Sequence, residues 1–270
     1  MRKVITDELK QEIINYYLSY PMTLKQVEDK FNLSHPTISK ILKDIPKYTK
    51  AKINSPNLKE DFFHVIDSEE KAYFIGLLIS DGNVFKDTTR QASISITLNL
   101  EDEYMLVKFK EVLNTNTSIS KDGRGCSQIA ARSDKMAEDL ATYGIVPRKS
   151  YITYLPTNID DKWMPHVIRG ILDGDGHIAA HQNGTRFLHG ISFCGSHKLM
   201  EDLSNYCSQH LKLKIAPQVY DYKDRQLSEI KIQNIDDMYT FGEWIYKDAT
   251  IYLTRKKDIY DTFKTHYNLK

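Results

Sequence analysis

The 270-residue sequence predicts an α+β protein, in which two tandem αββαββα repeats with pseudo-two-fold symmetry follow a small all-α helix-turn-helix domain. A stretch in which a largely apolar run is followed by Asp-Gly occurs twice, at 72–84 and 166–178, with an offset of 94 residues. Strand-like and amphipathic helical segments follow both copies in the same order. The predicted divisions are a helix-turn-helix domain at 1–50, a basic linker at 51–64, a first repeat at 65–157 and a second repeat at 158–270.

The N-terminal domain is predicted from helical spacing and capping residues. Apolar residues recur at helical spacing over 7–18, and Thr23 and Ser34 are each in position to cap a further short helix. A tight turn between the last two helices is typical of a helix-turn-helix, whose last helix enters the DNA major groove. The alternative is a small helical packing module. The outward residues of the predicted recognition helix are Thr37, Ser39, Lys40 and Lys43.

The segment after this domain, over 44–61, is polar and basic and contains two prolines. Such a composition predicts an extended linker. Lys50 lies within it, where a cation can contact DNA phosphates. A solvated run of charges is the alternative interpretation.

Each repeated stretch carries an aspartate in the last turn of a buried helix, Asp81 in the first copy and Asp175 in the second. A carboxylate there faces the partial negative charge and the unpaired carbonyls at the helix C-terminus, which is unfavourable. Two such carboxylates at matching positions of a repeat indicate a bound cation.

Small residues predict that these two helices pack backbone to backbone. Gly76 and Ser80 are four residues apart in the first copy, and Gly170 and Gly174 have the same spacing in the second. Packing along these faces would bring the helix ends and their carboxylates together. Carboxylates with nearby carbonyls form a hard oxygen site suited to Mg²⁺, which can activate water and stabilise a phosphoryl transition state.

At these positions the chain resembles the LAGLIDADG homing endonucleases. Against that nine-letter motif, residues 74–82 read FIGLLISDG and residues 168–176 read IRGILDGDG. The sixth letter is Ile79 in the first copy and Asp173 in the second, a departure that does not touch the metal position.

The resemblance implies a monomeric, site-specific endonuclease that hydrolyses both strands of DNA across the minor groove and leaves short 3′ overhangs. The family's metal-binding acid is the eighth letter, here Asp81 and Asp175, with Mg²⁺ as the cofactor. We expect the main-chain carbonyls of Ser80 and Gly174 to assist. The implied partner is double-stranded DNA with a long asymmetric target site, in the setting of a mobile intron or a free-standing element.

The family's fold is a saddle of two αββαββα units, whose sheets grip the DNA major groove. The alternating strands of this sequence fit, because their polar residues fall on one face and can contact base edges. For any single residue the alternative is a solvent-facing sheet surface. The residues predicted to contact DNA from the strands and their loops are Arg90, Ser93, Ser95, Arg186, Ser192, Tyr222, Lys223, Arg225 and Gln233.

The family often places a lysine or another polar group at the end of the fourth strand, to help activate water or hold the leaving phosphate. The segments SQIAARSD and SEIKIQNI occupy corresponding places at an offset of 101. The resemblance thus implies catalytic roles for Arg132 and Lys231. Simple phosphate contacts are the alternative.

The amino-acid composition limits the classes of protein to which this chain can belong. The chain has 37 Lys and Arg against 36 Asp and Glu, a net charge of +1, which is mild for a nucleic-acid binder. The longest apolar run is well short of the ~20 residues that span a bilayer, and the N-terminus has no signal-peptide core. The three cysteines lack paired spacing, so we expect reduced thiols in a cytoplasmic protein.

Two alternatives to an endonuclease stay open at this stage. The first is a non-cleaving DNA-binding regulator, although such a protein has no reason to keep both Asp81 and Asp175. The second is a maturase that binds intron RNA, which nothing in the sequence separates from a nuclease.

Overall fold

The computed structural model describes residues 5–223 and 226–269. The chain divides into two compact units, of which the first extends to Lys59 and includes Leu113–Thr117, and the second comprises the rest. No helix in the described ranges is long and apolar enough to cross a membrane.

Four helices belong to the first unit: α1 (Asp7–Ser19), α2 (Leu24–Phe31), α3 (His35–Ile41) and α4 (Lys50–Asn54). The first three confirm the predicted helices. Thr23 and Gln26 form a reciprocal capping box at the start of α2. Ser34 precedes α3 as predicted, but its hydroxyl pairs with the Thr37 hydroxyl at 3.0 Å instead of with a backbone amide. The core of these helices contains Ile13, Tyr17, Val27, Ile38 and Leu42.

The prediction of an extended linker is wrong over α4. The Thr49 hydroxyl accepts a hydrogen bond from the Lys52 amide at 3.1 Å, which starts a helical turn. The Ser55 hydroxyl then pairs with the Thr115 hydroxyl at 3.0 Å. These hydrogen bonds stabilise a folded segment, which its polar composition alone does not predict.

In the second unit both repeats have the predicted order αββαββα. The first contains α5 (Glu69–Ser80), β1 (Gly82–Phe85), β2 (Ser93–Asn99), α6 (Glu103–Leu113), β3 (Ser120–Lys121), β4 (Cys126–Arg132) and α7 (Asp134–Ala141). The second contains α8 (Met164–Asp175), β5 (Gly176–Asn183), β6 (Arg186–Gly195), α9 (His197–His210), β7 (Val219–Asp221), β8 (Ser228–Ile232) and α10 (Ile235–Tyr246). A further helix, α11 (Thr254–His266), follows the second repeat.

Each repeat forms one four-stranded antiparallel sheet with the same order, β1-β2-β4-β3 in the first and β5-β6-β8-β7 in the second. The strand after each motif helix is therefore an edge strand. Apolar side chains alternate along the inner strands and form the core, as Ile94 and Ile96 do in β2 and Ile191 and Phe193 do in β6.

The first edge strand, β1, is short and stops at Phe85. The Asp87 carboxylate accepts hydrogen bonds from the backbone amides of Thr89 at 2.7 Å and Arg90 at 2.8 Å. This local turn competes with strand pairing and so shortens the strand.

Candidate metal and DNA-cleavage site

The motif helices α5 and α8 contact each other through their backbones. A Cβ atom placed on Gly76 would lie 1.9 Å from the carbonyl oxygen of Val167, and one on Gly170 would lie 2.2 Å from that of Tyr73. Neither site has room for a side chain, which is why glycine is required. The close packing predicted from the small residues is confirmed.

At the C-terminal ends of these helices the two motifs meet. A Cβ atom on Gly174 would lie 1.9 Å from Ser80 Oγ and 3.0 Å from Asp81 Oδ2. The Asp81 carboxylate of one repeat therefore lies against the residue that precedes Asp175 of the other. Asp175 is exposed and Asp81 is partly exposed, so both carboxylates reach solvent.

The surroundings of both carboxylates disfavour their charged forms. Burial of much of the group, followed by the nearby charge of Asp175, raises the pKa of Asp81 to about 6. Although Asp175 is exposed as a residue, partial burial of its carboxyl group also raises its pKa. Two lysines, Lys149 and Lys256, oppose the rise at both positions. The pair is a region of concentrated negative charge next to buried cations.

Lys149 is 6% exposed, and its ammonium group donates to the Ser80 carbonyl at 3.2 Å. It thereby satisfies one of the unpaired carbonyls at the end of α5. Burial lowers the pKa of Lys149, and the charges of Asp175 and Asp81 act in the opposite direction.

Lys256 is 4% exposed and serves the end of α8 in the same way. Its ammonium group donates to the carbonyl oxygens of Leu172 at 2.5 Å, Asp173 at 2.7 Å and Gly176 at 2.7 Å. Burial lowers the pKa of Lys256 to about 8, against the opposing charge of Asp173. A cation is favourable at a helix C-terminus, where a carboxylate is unfavourable. The two lysines therefore offset part of the cost of placing the two aspartates there.

Sequence reasoning did not assign a role to either lysine. A signal was present, because Arg148-Lys149 and Arg255-Lys256 lie 107 residues apart in the closing segments of the two repeats. Matched basic pairs in a duplicated chain indicate a shared role.

A cavity of about 280 Å³ opens beside the second carboxylate. Its lining includes Asp175, Lys149, Ser150, Thr153 and Cys194. Side chains from the two repeats thus face one space, where a carboxylate, a cation and hydroxyl groups are available together.

The donor set fits a hard divalent cation held by carboxylates and main-chain carbonyls. No group of three or more His, Cys, Asp or Glu side chains in the described part of the chain could hold a metal ion. A cation at this site would therefore use Asp81 and Asp175 with carbonyl and water oxygens, the ligand types that Mg²⁺ takes. Of the two carbonyls predicted to assist, that of Ser80 also accepts the hydrogen bond from Lys149.

The other two predicted catalytic residues lie on strands β4 and β8. Arg132 is exposed at the end of β4 and pairs with Ser93 at one end of β2, whereas Gly82, the residue after Asp81, pairs with Ile96 in the middle of β2. Lys231 is exposed on β8, and its ammonium group lies 2.9 Å from Glu229. Their catalytic roles stay predictions.

The predicted DNA-contacting residues of the sheets are mostly accessible. Ser93 and Ser192 are partly exposed on the side of β2 and β6 that faces away from the core. Ser95 is only 8% exposed, and Arg225 lies outside the described residues. The exposed members of the set are Arg90, Arg186, Tyr222, Lys223 and Gln233.

In the first unit the predicted cations are solvent-accessible. Lys40, Lys43 and Lys50 are exposed, whereas Thr37 and Ser39 are partly exposed. Their contact with DNA stays a prediction.

No protein-family profile matches the sequence, and no curated protein matches it. Solved structures do match. The LAGLIDADG meganuclease I-AabMI bound to uncleaved DNA gives a TM-score of 0.52 at 14% identity, covering 73% of this chain and 90% of that chain. The I-SmaMI LAGLIDADG homing endonuclease bound to cleaved DNA gives 0.52 at 15% identity, covering 76% and 92%. I-SmaMI bound to an uncleaved DNA target in the presence of calcium ions gives 0.52 at 13% identity, covering 76% and 94%.

These likenesses cover 73% to 76% of this chain. At this level of identity they establish the architecture. The chain has the fold of the LAGLIDADG homing endonucleases.

Proposed function

We propose that this protein is a site-specific endonuclease that hydrolyses both strands of double-stranded DNA with Mg²⁺. The observation that carries the proposal is the convergence of Asp81 and Asp175 at the ends of two helices in backbone contact. A structural role does not need two like charges at two helix C-termini, where each is unfavourable. Binding of a divalent cation supplies the reason for both.

Asp81 and Asp175 would hold the ion, with the carbonyls of Ser80 and Gly174 nearby. When bound, Mg²⁺ polarises the scissile phosphate and lowers the pKa of water. The raised pKa of Asp81 supports this assignment, because burial and then the charge of Asp175 disfavour its carboxylate, and a bound cation would stabilise that charge.

Lys149 and Lys256 are proposed to stabilise charge during hydrolysis. Phosphoryl transfer spreads negative charge over the phosphate oxygens, and cations fixed in advance stabilise that charge. Both ammonium groups are held by main-chain carbonyls before any substrate arrives. The cavity shared by Lys149 and Asp175 supports access of a phosphate to this cation.

DNA recognition is assigned to the outward faces of the two sheets, with the first unit adding further contacts. Three of the solved structures that share the fold are described as bound to DNA, one of them cleaved, which supports DNA as the partner. The two sheets differ in side chains at matching positions, for example Ala130 on β4 against Lys231 on β8. Different side chains in the two halves support an asymmetric target read by one monomer.

The test is cleavage of a genomic or randomised DNA library with Mg²⁺, with the cut ends read by sequencing. The wild-type chain is expected to produce staggered ends at one long site. Asp81→Asn/Asp175→Asn should produce none, whereas Asp258→Asn, an exposed carboxylate on α11, should cut as wild type does.

The two rival functions give different results in the same assay. A protein that retains DNA fragments but never cuts them is a DNA-binding regulator. A protein that retains no DNA but binds intron RNA is a maturase. Either result would overturn the proposal.

A further inference from the structure

The two motif helices differ in packing although their backbones match. Asp173, at the sixth letter of the second motif, is 1% exposed, and its Oδ2 accepts hydrogen bonds from the Tyr73 hydroxyl and the Leu253 amide, both at 2.8 Å. The Oδ1 atom has no hydrogen-bond partner in the described structure. The residue 94 positions earlier is Ile79, an apolar side chain that cannot accept a hydrogen bond.

Arg169 and Glu69 extend this network to the loop before α11. Arg169 is 0% exposed and donates to the carbonyls of Ile251 at 2.8 Å and Ile245 at 2.6 Å. Its third donor bonds the Glu69 carboxylate at 2.7 Å. The residue 94 positions before Arg169 is the apolar Ile75, so this polar network belongs to the second motif.

These bonds fix the start of α11 and with it the position of a catalytic-site cation. Leu253 donates its backbone N–H to Asp173 and is the N-cap residue of α11. Lys256 lies in the first turn of the same helix. Lys256 has three hydrogen bonds to carbonyls at the end of α8, at distances from 2.5 to 2.7 Å. Lys149, at the equivalent position in the first repeat, donates to the carbonyl oxygen of Ser80 at the longer distance of 3.2 Å.

We propose that Asp173 is a positioning residue for Lys256 and that it governs cleavage of one DNA strand only. The proposal rests on the proposed function, since it assumes that each repeat serves one strand. A carboxylate buried in an apolar helix face is costly unless hydrogen bonds compensate for it. Here those bonds hold the segment that carries Lys256, and a cation held in place needs no reorganisation during reaction. The centre that uses Lys149 has Ile79 instead and does not depend on Asp173.

The experiment is single-turnover cleavage of the cognate duplex with a different fluorophore on each 5′ end, so that each strand is timed separately. Asp173→Ile copies the first motif and removes the acceptor. It should slow one strand about 10-fold or more and leave the other within about 3-fold, so that nicked DNA accumulates. Ile79→Val, at the matching position, should leave both rates unchanged.

Two further variants separate positioning from general packing. Asp173→Asn keeps an oxygen that can accept both hydrogen bonds, so it should restore both rates. Lys256→Met should slow the same strand as Asp173→Ile does. Adding Asp173→Ile to Lys256→Met should slow that strand by no more than about 2-fold further, because both act through one lysine.

Equal slowing of both strands by Asp173→Ile, or failure of Asp173→Asn to restore the rate, would overturn the inference. Failure of the wild-type chain to cut either strand would instead overturn the proposed function. If Asp173→Ile does not fold, Tyr73→Phe removes one donor to Asp173 and tests the same point. It should slow the same strand selectively, and an equal effect on both strands would again be contrary to the proposal.

Discussion

Asp81 carries a charge that the folded protein disfavours when no cation is present. Burial and the charge of Asp175 raise its pKa to about 6 from the ordinary value of 3.8. Between these values the folded state binds a proton that the unfolded state has released, so stability falls as pH rises through the window and the full cost is present above about pH 6. The charged pair is therefore a stability cost that the proposed ion relieves.

We predict that, in EDTA, the free energy of unfolding falls between pH 4 and pH 6 and that Asp81→Asn removes part of the fall. The part removed should be on the order of 1 kcal/mol after allowance for solvent screening. Urea denaturation across pH measures it. Burial also raises the pKa of Asp173 to about 6, so titration of Asp173 should account for the part of the fall that remains in Asp81→Asn. A pH dependence identical in Asp81→Asn and wild type would contradict the account.

The isosteric changes Asp81→Asn and Asp175→Asn should each lower double-strand cleavage by at least about 100-fold, because each removes a charge that the proposed metal site requires. Affinity for the target in Ca²⁺ should stay within about 3-fold, since most of the proposed DNA contacts lie on the sheets. Gel-based cleavage and fluorescence anisotropy measure the two quantities. Parallel loss of binding would show that the pair is structural.

Mg²⁺ provides the matching control on stability. It should raise the melting temperature of wild type at pH 7 and leave that of Asp81→Asn/Asp175→Asn unchanged. Equal shifts in both proteins would show that the ion binds elsewhere.

The two aspartates were predicted from the sequence and the two lysines were not, for a physical reason. Asp81 and Asp175 lie within helices whose apolar, glycine-spaced pattern is local and repeated. Lys149 contacts Ser80, 69 residues away in sequence, and Lys256 contacts Leu172, 84 residues away. Their roles depend on tertiary packing, which neither residue's neighbours in sequence encode.

Among the elements, the α5–α8 pair makes the most specific demand on sequence. At Gly76 an added Cβ would collide with the backbone of α8 at 1.9 Å, and backbone cannot rotate away as a side chain can. Separating the helices would also move Asp81 from Asp175. Stability and the site therefore depend on the same contact.

Gly76→Ala should destabilise the protein by about 3 kcal/mol and abolish cleavage, since it forces the two helix backbones apart. Guanidinium denaturation gives the midpoint shift. Gly123→Ala is the matched control, because a Cβ there has nothing within 4 Å, and its effect should stay within about 0.5 kcal/mol. A Gly76→Ala protein as stable as Gly123→Ala would show that the helices can pack further apart.

Elements with strong local patterns were predicted, and elements set by distant partners were not. The motif helices were predicted to have Asp81 and Asp175 in their last turns, and α5 and α8 end at or next to these residues, because their apolar pattern is regular. Helix α11, rich in charged residues, packs on β5 and was not assigned. Helix α4 likewise forms where hydrogen bonds to another segment stabilise a polar sequence.

Over the whole molecule, charge is distributed unevenly for a protein proposed to bind DNA. The net charge is +1, yet residues 1–60 hold 11 Lys and Arg against 7 Asp and Glu. Attraction to phosphates must then depend on where the cations lie more than on their total. The excess of positive charge lies in the N-terminal part of the chain, which includes the first unit. If this unit binds DNA, part of the salt dependence of DNA affinity should come from its lysines.

Lys40→Gln/Lys43→Gln should weaken target binding and flatten its salt dependence. These exposed lysines lie on and just after α3, the predicted recognition helix. If each contacts one phosphate, the slope of log K against log salt should fall in magnitude by about 0.9 per lysine, or about 1.8 for the pair. Anisotropy titrations at several salt concentrations measure the slope, and a nuclease footprint should shorten at one end.

Lys25→Gln is the control, since Lys25 is exposed on α2 but pairs with Asp29 at 2.8 Å. It should leave slope and footprint unchanged. If the double variant also leaves them unchanged, the three helices are a packing module and all DNA recognition belongs to the two sheets.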